Sequence, residues 1–401
     1  MKFSGVTGGI TAARGFDAHG VAAGIKESGL PDVGLVFSAN PCAAAGTFTT
    51  NQVRAACVDW NISLLPSKAI RALCCNSGVA NACTGARGAR DARATARKVS
   101  RTCGVAPETV LVASTGVIGE FLPMEKLREG IASCASRLSQ KGGTRFARAI
   151  MTTDTVPKEY AIKVPFSGGT AVIGGCAKGA GMICPNMATM LCFITTDARI
   201  GPVALERTLR RVVGWTFNNL TVDGDMSTND MVLALANGAS GAAVRTKRDG
   251  EAFEDALFDV CNRLCAKIAG DGEGATKRIE VAVTGGKTYD DCKAAAKAIA
   301  NSNLVKTAAF GCDPNWGRIL AAIGSSGARF SQKRISVSLC GMPVYASLRP
   351  AAFDTARMRK ALAKKIVTID VDLGLHGKTC AVAHTCDLTY DYVKINAEYH
   401  T

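Results

Sequence analysis

EAFEDALFDVCNRLCAKIAGDGEGATKRIEVAVTGGKTYDDCKAAAKAIA, residues 251–300, holds three elements in succession. Phe253, Leu257, Val260, Cys261, Leu264, Cys265 and Ile268 recur at i, i+4, i+7, i+8, i+11, i+12 and i+15. That spacing draws one apolar face and predicts a helix over 251–269, ended by Gly270. A strand over 278–284 follows, then a helix through 289–300. Between the first helix and the strand, Gly270-Asp271-Gly272-Glu273-Gly274-Ala275 matches GxGxxA, a phosphate-loop variant of dinucleotide folds. Such a loop requires a strand before the glycines and a helix after them. Here the order is reversed, which argues against a nicotinamide site. Gly286-Lys287-Thr288 resembles the end of a Walker A loop, but the first glycine would have to stand at Val281, so an ordinary turn is the better reading.

The same alternation of elements continues outward. GLVFSAN at 34–40 and TVLVASTG at 109–116 read as strands entering turns. The Ala- and Arg-rich stretch 82–99 reads as a helix. Strand-like runs at 160–165 and 170–173 flank a Ser-Gly-Gly turn, and later strands are expected at 335–339 and 368–373. Mixed strands and helices over the whole length predict an α/β or α+β protein with layered sheets. No repeat, low-complexity tract or Pro-rich linker marks a domain boundary.

Composition narrows the function. The 401 residues are 47% hydrophobic and 20% charged, with 42 Gly and 12 Pro, so a large core is affordable and a disordered or collagen-like chain is excluded. The net charge of +15 draws anions such as phosphates, carboxylates or nucleic acid. Aromatics at 6% are too sparse to make base-stacking platforms the default account of that charge. The 17 cysteines are odd in number and contain no CxxC, so they fit neither a disulfide framework nor a zinc ribbon. Most are expected to act as small core hydrophobes in a reducing cytosol. His19, His376, His384 and His400 form no HExxH, and no metal site is readable. GxSxG is absent, and four scattered histidines argue against a serine or cysteine triad. The first residues, MKFSGVTGGITAARGF, lack an apolar signal core, and no run of 18 apolar residues occurs, so a soluble cytoplasmic protein is expected.

One segment is physically odd. KGAGMICPNMATML at 178–191 runs from a Gly-rich turn through Pro185-Asn186 to Ala188, Thr189 and an apolar strand over 190–194. One reading is a loop entering a buried strand. The other is a nucleophile made by self-cleavage: the Thr189 hydroxyl attacks the Ala188 carbonyl, the ester hydrolyses, and an α-amino group is freed on Thr189. That amine, with an ordinary pKa near ~8, would serve as base for its own hydroxyl, which suits a His-poor chain.

The segment resembles the processing site of the ornithine acetyltransferase family, the glutamate N-acetyltransferases of arginine biosynthesis. The resemblance runs through AAGTFTTNQVRAA (44–56), NSGVANACTG (76–85), STGVIGEFLPMEKL (114–127), IMTTDTVPK (150–158), TVDGDMSTNDM (221–231), GDGEGATK (270–277), AAFGCDPNWGRI (308–319) and INAEYHT (395–401). It implies an α/β/β/α layered fold with stacked mixed sheets, of the self-cleaving N-terminal-nucleophile type. It implies cleavage at Ala188–Thr189 into an α chain, 1–188, and a β chain, 189–401, interleaved in one fold. Thr189 resembles the nucleophile, and Thr115 with Gly116 the oxyanion-hole pair. A hydroxyl and a backbone N–H at a glycine turn can indeed aim two donors at a developing oxyanion. Thr152 (with Thr153 as the alternative), Lys178, Thr189, Glu273, Asn396 and Thr401 resemble the substrate contacts.

The implied reaction passes acetyl from N2-acetyl-L-ornithine to Thr189 and then to L-glutamate, with no resident cofactor or metal. Acetyl-CoA is a possible further donor. The cleaved chains would pair as an α2β2 heterotetramer, with neither nucleic acid nor membrane as partner. Three residues depart from the family pattern: Val79, Met226 and His400, the last at a position where Arg is usual. A neutral imidazole cannot replace a guanidinium fork. The alternative is a related self-cleaving hydrolase of aminopeptidase type; a basic nucleic-acid-binding protein lacks any supporting motif.

Overall fold

A computed structural model of the chain describes residues 3–184 and 190–398. Its larger sheet is organised by the long strand Val33–Phe48. The first half of this strand pairs antiparallel with both Phe16–Val21 and Ser67–Val79, and residues 43–48 pair antiparallel with Met231–Ala236. Beyond Met231–Ala236 the sheet continues through Leu191–Thr196, Gly169–Lys178 and Lys158–Phe166 to Ser4–Gly5. Beyond Ser67–Val79 it ends at Val110–Val117, which makes nine strands among the described residues. Leu191–Thr196 runs parallel to Met231–Ala236 and antiparallel to Gly169–Lys178. Strands on both sides of residue 188 therefore share one hydrogen-bonded sheet.

The two-residue period of a strand sorts the side chains between two cores. Cys176, Leu191, Phe193, Met231, Leu233 and Leu235 pack in a cluster with Leu35, Leu73, Leu111, Ile131 and Phe146. Their neighbours Ala177, Cys192, Ile194, Val232, Ala234 and Ala236 join the cluster formed by the helices Pro202–Trp215 and Lys247–Gly270. The seven apolar residues that predicted the second of these helices are all at most 1% exposed. This helix begins at Lys247, four residues before the expected start at 251, because Thr246 and Asp249 form a capping box that satisfies its first backbone N–H groups.

The other predicted elements are present with shifted ends. The Ala/Arg-rich helix is Gly85–Cys103, and it starts late because Asn81 and Cys83 take left-handed φ values of 52° and 59°. The 160–165 and 170–173 runs form the hairpin Lys158–Phe166 and Gly169–Lys178. The remaining strands are Arg278–Gly285, Ser336–Leu339 and Ile366–Asp372 in a six-stranded sheet whose third core packs Tyr289–Asn301. Thr288 of the Gly-Lys-Thr turn is the N-cap of that helix, in a second capping box with Asp291. The architecture is a mixed α/β fold with stacked mixed sheets. Eleven of the 17 cysteines are buried, as expected of small core residues. No described helix is long and apolar enough to cross a membrane.

Candidate active site

The parallel strands Ser67–Val79 and Val110–Val117 come together at Gly78 and Gly116. Gly116 has φ +129°, and a Cβ there would stand 2.2 Å from the Gly78 carbonyl carbon. Only glycine lets the two backbones approach so closely. Thr115, immediately before it, is buried beside Lys178, the last residue of its own strand. Lys178 Nζ donates to Thr115 Oγ1 at 3.1 Å. Because the oxygen accepts from an ammonium, the hydroxyl proton is left to donate elsewhere, and it is polarised for doing so.

A buried chain of charges stands behind Lys178. The Asp154 carboxylate accepts from Lys158 Nζ at 2.5 Å, from the Gly179 backbone N–H at 2.7 Å and from the Thr152 backbone N–H at 3.0 Å. Burial works to raise the Asp154 carboxyl, but the Lys158 and Lys178 ammoniums overcome it and hold the group below its usual range. Lys158 Nζ also donates to Asp271 at 2.6 Å, and Asp271 in turn accepts from the Thr155 backbone and hydroxyl.

Asp271 opens the Gly-rich loop that carries Glu273. The Glu273 N–H donates to the Ala180 carbonyl at 2.9 Å, and its carboxylate accepts from Asn396 Nδ2, also at 2.9 Å. Asn396 lies on the helix Tyr390–Glu398. A Cβ on Gly181 would fall 2.2 Å from the Glu273 carboxylate, so the glycine at 181 makes room for that side chain. Asp223 accepts from the Met182 and Ile183 N–H groups at 2.6 and 2.8 Å, clamping the loop after Lys178. Asn229 Nδ2 donates to the carbonyls of Ala80 (2.6 Å) and Ser114 (2.7 Å), which fixes the backbone leading into Thr115.

These elements enclose a cavity of about 440 Å³, lined by Thr115, Gly116, Thr152, Thr153, Lys178, Glu273 and Asn396. Both threonines of the 152–153 pair face it. Ala188, Thr189 and Thr401 lie outside the described residues, as does His400. Among the departures from the family pattern, Met226 lines the cavity. Sequence reasoning assigned no role to Asp223, Asn229, Asp230 or Tyr392, which also line it. The first three sit in the 221–231 block, so the signal was the block itself. Burial pushes the Asp230 carboxyl well above its usual range, against the pull of Ser227 and Lys178. Burial, with the Asp223 and Glu273 carboxylates, likewise pushes the Tyr392 phenol up. Among the described residues, no cluster of three His, Cys, Asp or Glu side chains could hold a metal ion. The cavity sets a cation and a polarised hydroxyl on one wall and a carboxylate on another. This arrangement suits a small molecule carrying both an acidic and an amino end.

Known proteins extend the picture. The model of the ArgJ family matches residues 17–401. The arginine biosynthesis bifunctional protein ArgJ of Symbiobacterium thermophilum is 49% identical over 401 residues, covering 99% of each chain. The protein of the same name from a Synechococcus strain is 48% identical over 410 residues, covering 99% of this chain and 98% of its own. A crystal structure of arginine biosynthesis bifunctional protein ArgJ from Bacillus halodurans is 43% identical with a TM-score of 0.51, and all of that chain corresponds to 53% of this one.

Proposed function

Because the chain belongs to the ArgJ family and is an arginine-biosynthesis enzyme, we propose that it transfers acetyl from N2-acetyl-L-ornithine to L-glutamate through an acetyl-Thr189 intermediate. The observation that carries this reading is the single cavity in which Lys178 sits on Thr115 and Asn396 sits on Glu273. The carboxylate of either amino acid meets Lys178, and the amino end of ornithine meets Glu273. Thr152 or Thr153 contacts the substrate from the facing loop, and Thr401 completes the pocket.

The nucleophile arises by autoproteolysis. Thr189 Oγ attacks the Ala188 carbonyl carbon, the peptide C–N bond breaks as the nitrogen takes a proton, and water hydrolyses the ester. The products are residues 1–188 and 189–401, the latter beginning with a free amine. In the first half-reaction the Thr189 amine takes the hydroxyl proton as the oxygen attacks the acetyl carbon of acetylornithine. Thr115 Oγ–H and the Gly116 N–H stabilise the oxyanion, and the collapsing intermediate expels ornithine, which leaves with that proton. Glutamate then takes the acetyl group by the reverse sequence. No resident cofactor is used. Acetyl-CoA enters as a second donor, and the two pieces assemble as α2β2.

An intact-mass spectrum followed by transfer assays tests the proposal. The expected result is two fragments breaking before Thr189, acetylglutamate formed from acetylornithine, and an acetyl mass on the 189–401 fragment when glutamate is withheld. Free acetate in place of acetylglutamate would indicate a hydrolase. A single unbroken chain with full turnover would overturn the mechanism.

A further inference from the structure

Lys158 is wholly buried at the start of the strand Lys158–Phe166, and no step of the proposed reaction uses it. Its ammonium lies 2.5 Å from Asp154 and 2.6 Å from Asp271. A lysine is costly to bury away from solvent unless it is paired and hydrogen-bonded, so this pairing needs a reason. One follows from what each carboxylate holds. Asp154 grips the Thr152 and Gly179 backbones, and so the loop of one candidate contact and the residue after Lys178. Asp271 stands two residues before Glu273 and grips Thr155. The charges alternate from the cavity wall through the interior to the half-buried Asp271: Lys178, Asp154, Lys158, Asp271.

The Lys178 ammonium already acts on the Asp154 carboxylate. Asp154 without Lys158 would be a buried carboxylate under the influence of two other ammoniums, Lys178 and Lys26. Lys26 Nζ is already held by the Pro31 and Met151 carbonyls, at 2.8 and 2.7 Å, which leaves Lys178 as the one to move onto it. We propose that Lys158 is a positioning residue of the active site: by occupying Asp154 and Asp271 together, it leaves Lys178 on the Thr115 hydroxyl and holds the Glu273 loop against the Thr152 loop. This inference rests on the acetyl-transfer reading, in which Lys178, Thr115 and Glu273 touch substrate.

A charge cycle tests it, because the positioning role and a merely structural one predict opposite signs. In Lys158→Met, the freed Asp154 draws Lys178 away from Thr115, and kcat falls at least tenfold. In the double variant Asp154→Asn with Lys158→Met, no carboxylate competes for Lys178, and kcat recovers at least fivefold over the single variant. KM for acetylornithine stays raised in both, since the Glu273 loop has lost its tie. A purely structural Lys158 predicts a double variant as slow as the single one or slower, and that result would overturn the proposal. So would a wild-type kcat in Lys158→Met. Should Lys158→Met fail to fold, Asp271→Asn decides. It frees the Glu273 loop while sparing the Asp154 pair, so KM should rise at least fivefold with kcat falling less than threefold; a kcat loss as large as the KM rise would overturn the inference. Wild-type enzyme assayed alongside separates the two levels. If the wild type makes no acetylglutamate, the functional reading fails; if it does and the variants depart from this pattern, only the role of Lys158 fails.

Discussion

Lys178 Nζ donates a 3.1 Å hydrogen bond to Thr115 Oγ1, joining residues 63 apart in the chain at the wall of the cavity. The direction of that bond matters. A lysine ammonium can only donate, so the threonine oxygen accepts and its own proton must be given elsewhere. A hydroxyl polarised in this way is a stronger donor to a negative oxygen than an isolated threonine, and the ammonium adds its charge at short range.

Thr115→Val keeps the branched shape and removes the donor. Loss of one oxyanion-hole donor costs on the order of 10²–10³ in kcat, and that loss is expected here with KM little changed. Steady-state kinetics with acetylornithine and glutamate check it. A kcat within fivefold of wild type would remove Thr115 from the transition state.

The Glu273 carboxylate is buried and accepts from Asn396. Glu273→Gln keeps the volume but loses the charge that would meet an ammonium. Charge-assisted hydrogen bonds contribute roughly 1.5–3 kcal/mol, so KM for acetylornithine is expected to rise about 10–100-fold, with kcat changing less. Asn396→Ala leaves the charge and removes only its holder, so the same KM should rise by a smaller factor. Equal effects of the two variants would mean that Glu273 supports the fold rather than the substrate.

The parts of the molecule that a periodic pattern can write were legible in the sequence. Phe253 to Ile268 marks a helix because one buried face repeats each turn, and the 109–116 run marks a strand because it is short, apolar and ends at glycine. Strand partners were not legible. Val33–Phe48 pairs with Met231–Ala236 across nearly two hundred residues, and nothing local in either strand names the other. The site divides in the same way. The turn at Thr115 reads locally as a plain strand end and gained a role only through resemblance. The tie from Asp154 through Lys158 to Asp271 spans 113 residues between its last two members, so only the folded chain brings it together.

Thr189→Ala removes the attacking oxygen of the proposed processing step and the nucleophile of transfer together. The expected outcome is one chain of 401 residues by intact mass and no acetylglutamate. Thr189→Ser retains a hydroxyl and should be cleaved. Two normal fragments from Thr189→Ala would place the scissile chemistry at another residue.

His384 ties the six-stranded sheet to the helix Lys247–Gly270 and carries a pH dependence that can be isolated. It lies in the strand Gly377–Cys386, 2% exposed, with its Nε2 2.8 Å from Asn262 Oδ1 on the helix Lys247–Gly270 and its Nδ1 without a hydrogen-bond partner, 3.8 Å from Glu280 Oε2. Burial, with Arg278 nearby, lowers its pKa from 6.5 to about 4. A histidine whose folded pKa lies below its unfolded one is neutral in the fold while the unfolded chain takes up a proton. Stability is therefore full above the unfolded value near 6.5, is lost as pH falls from there, and levels off below about 4. At roughly 1.4 kcal/mol per unit, the loss attributable to this one residue is about 3 kcal/mol. His384→Gln keeps a donor for Asn262 and cannot titrate. Its stability, read from urea unfolding at pH 7 and pH 4, should fall by about 3 kcal/mol less than that of the wild type. Identical losses in the two proteins would show that the imidazole is not held neutral in the folded chain.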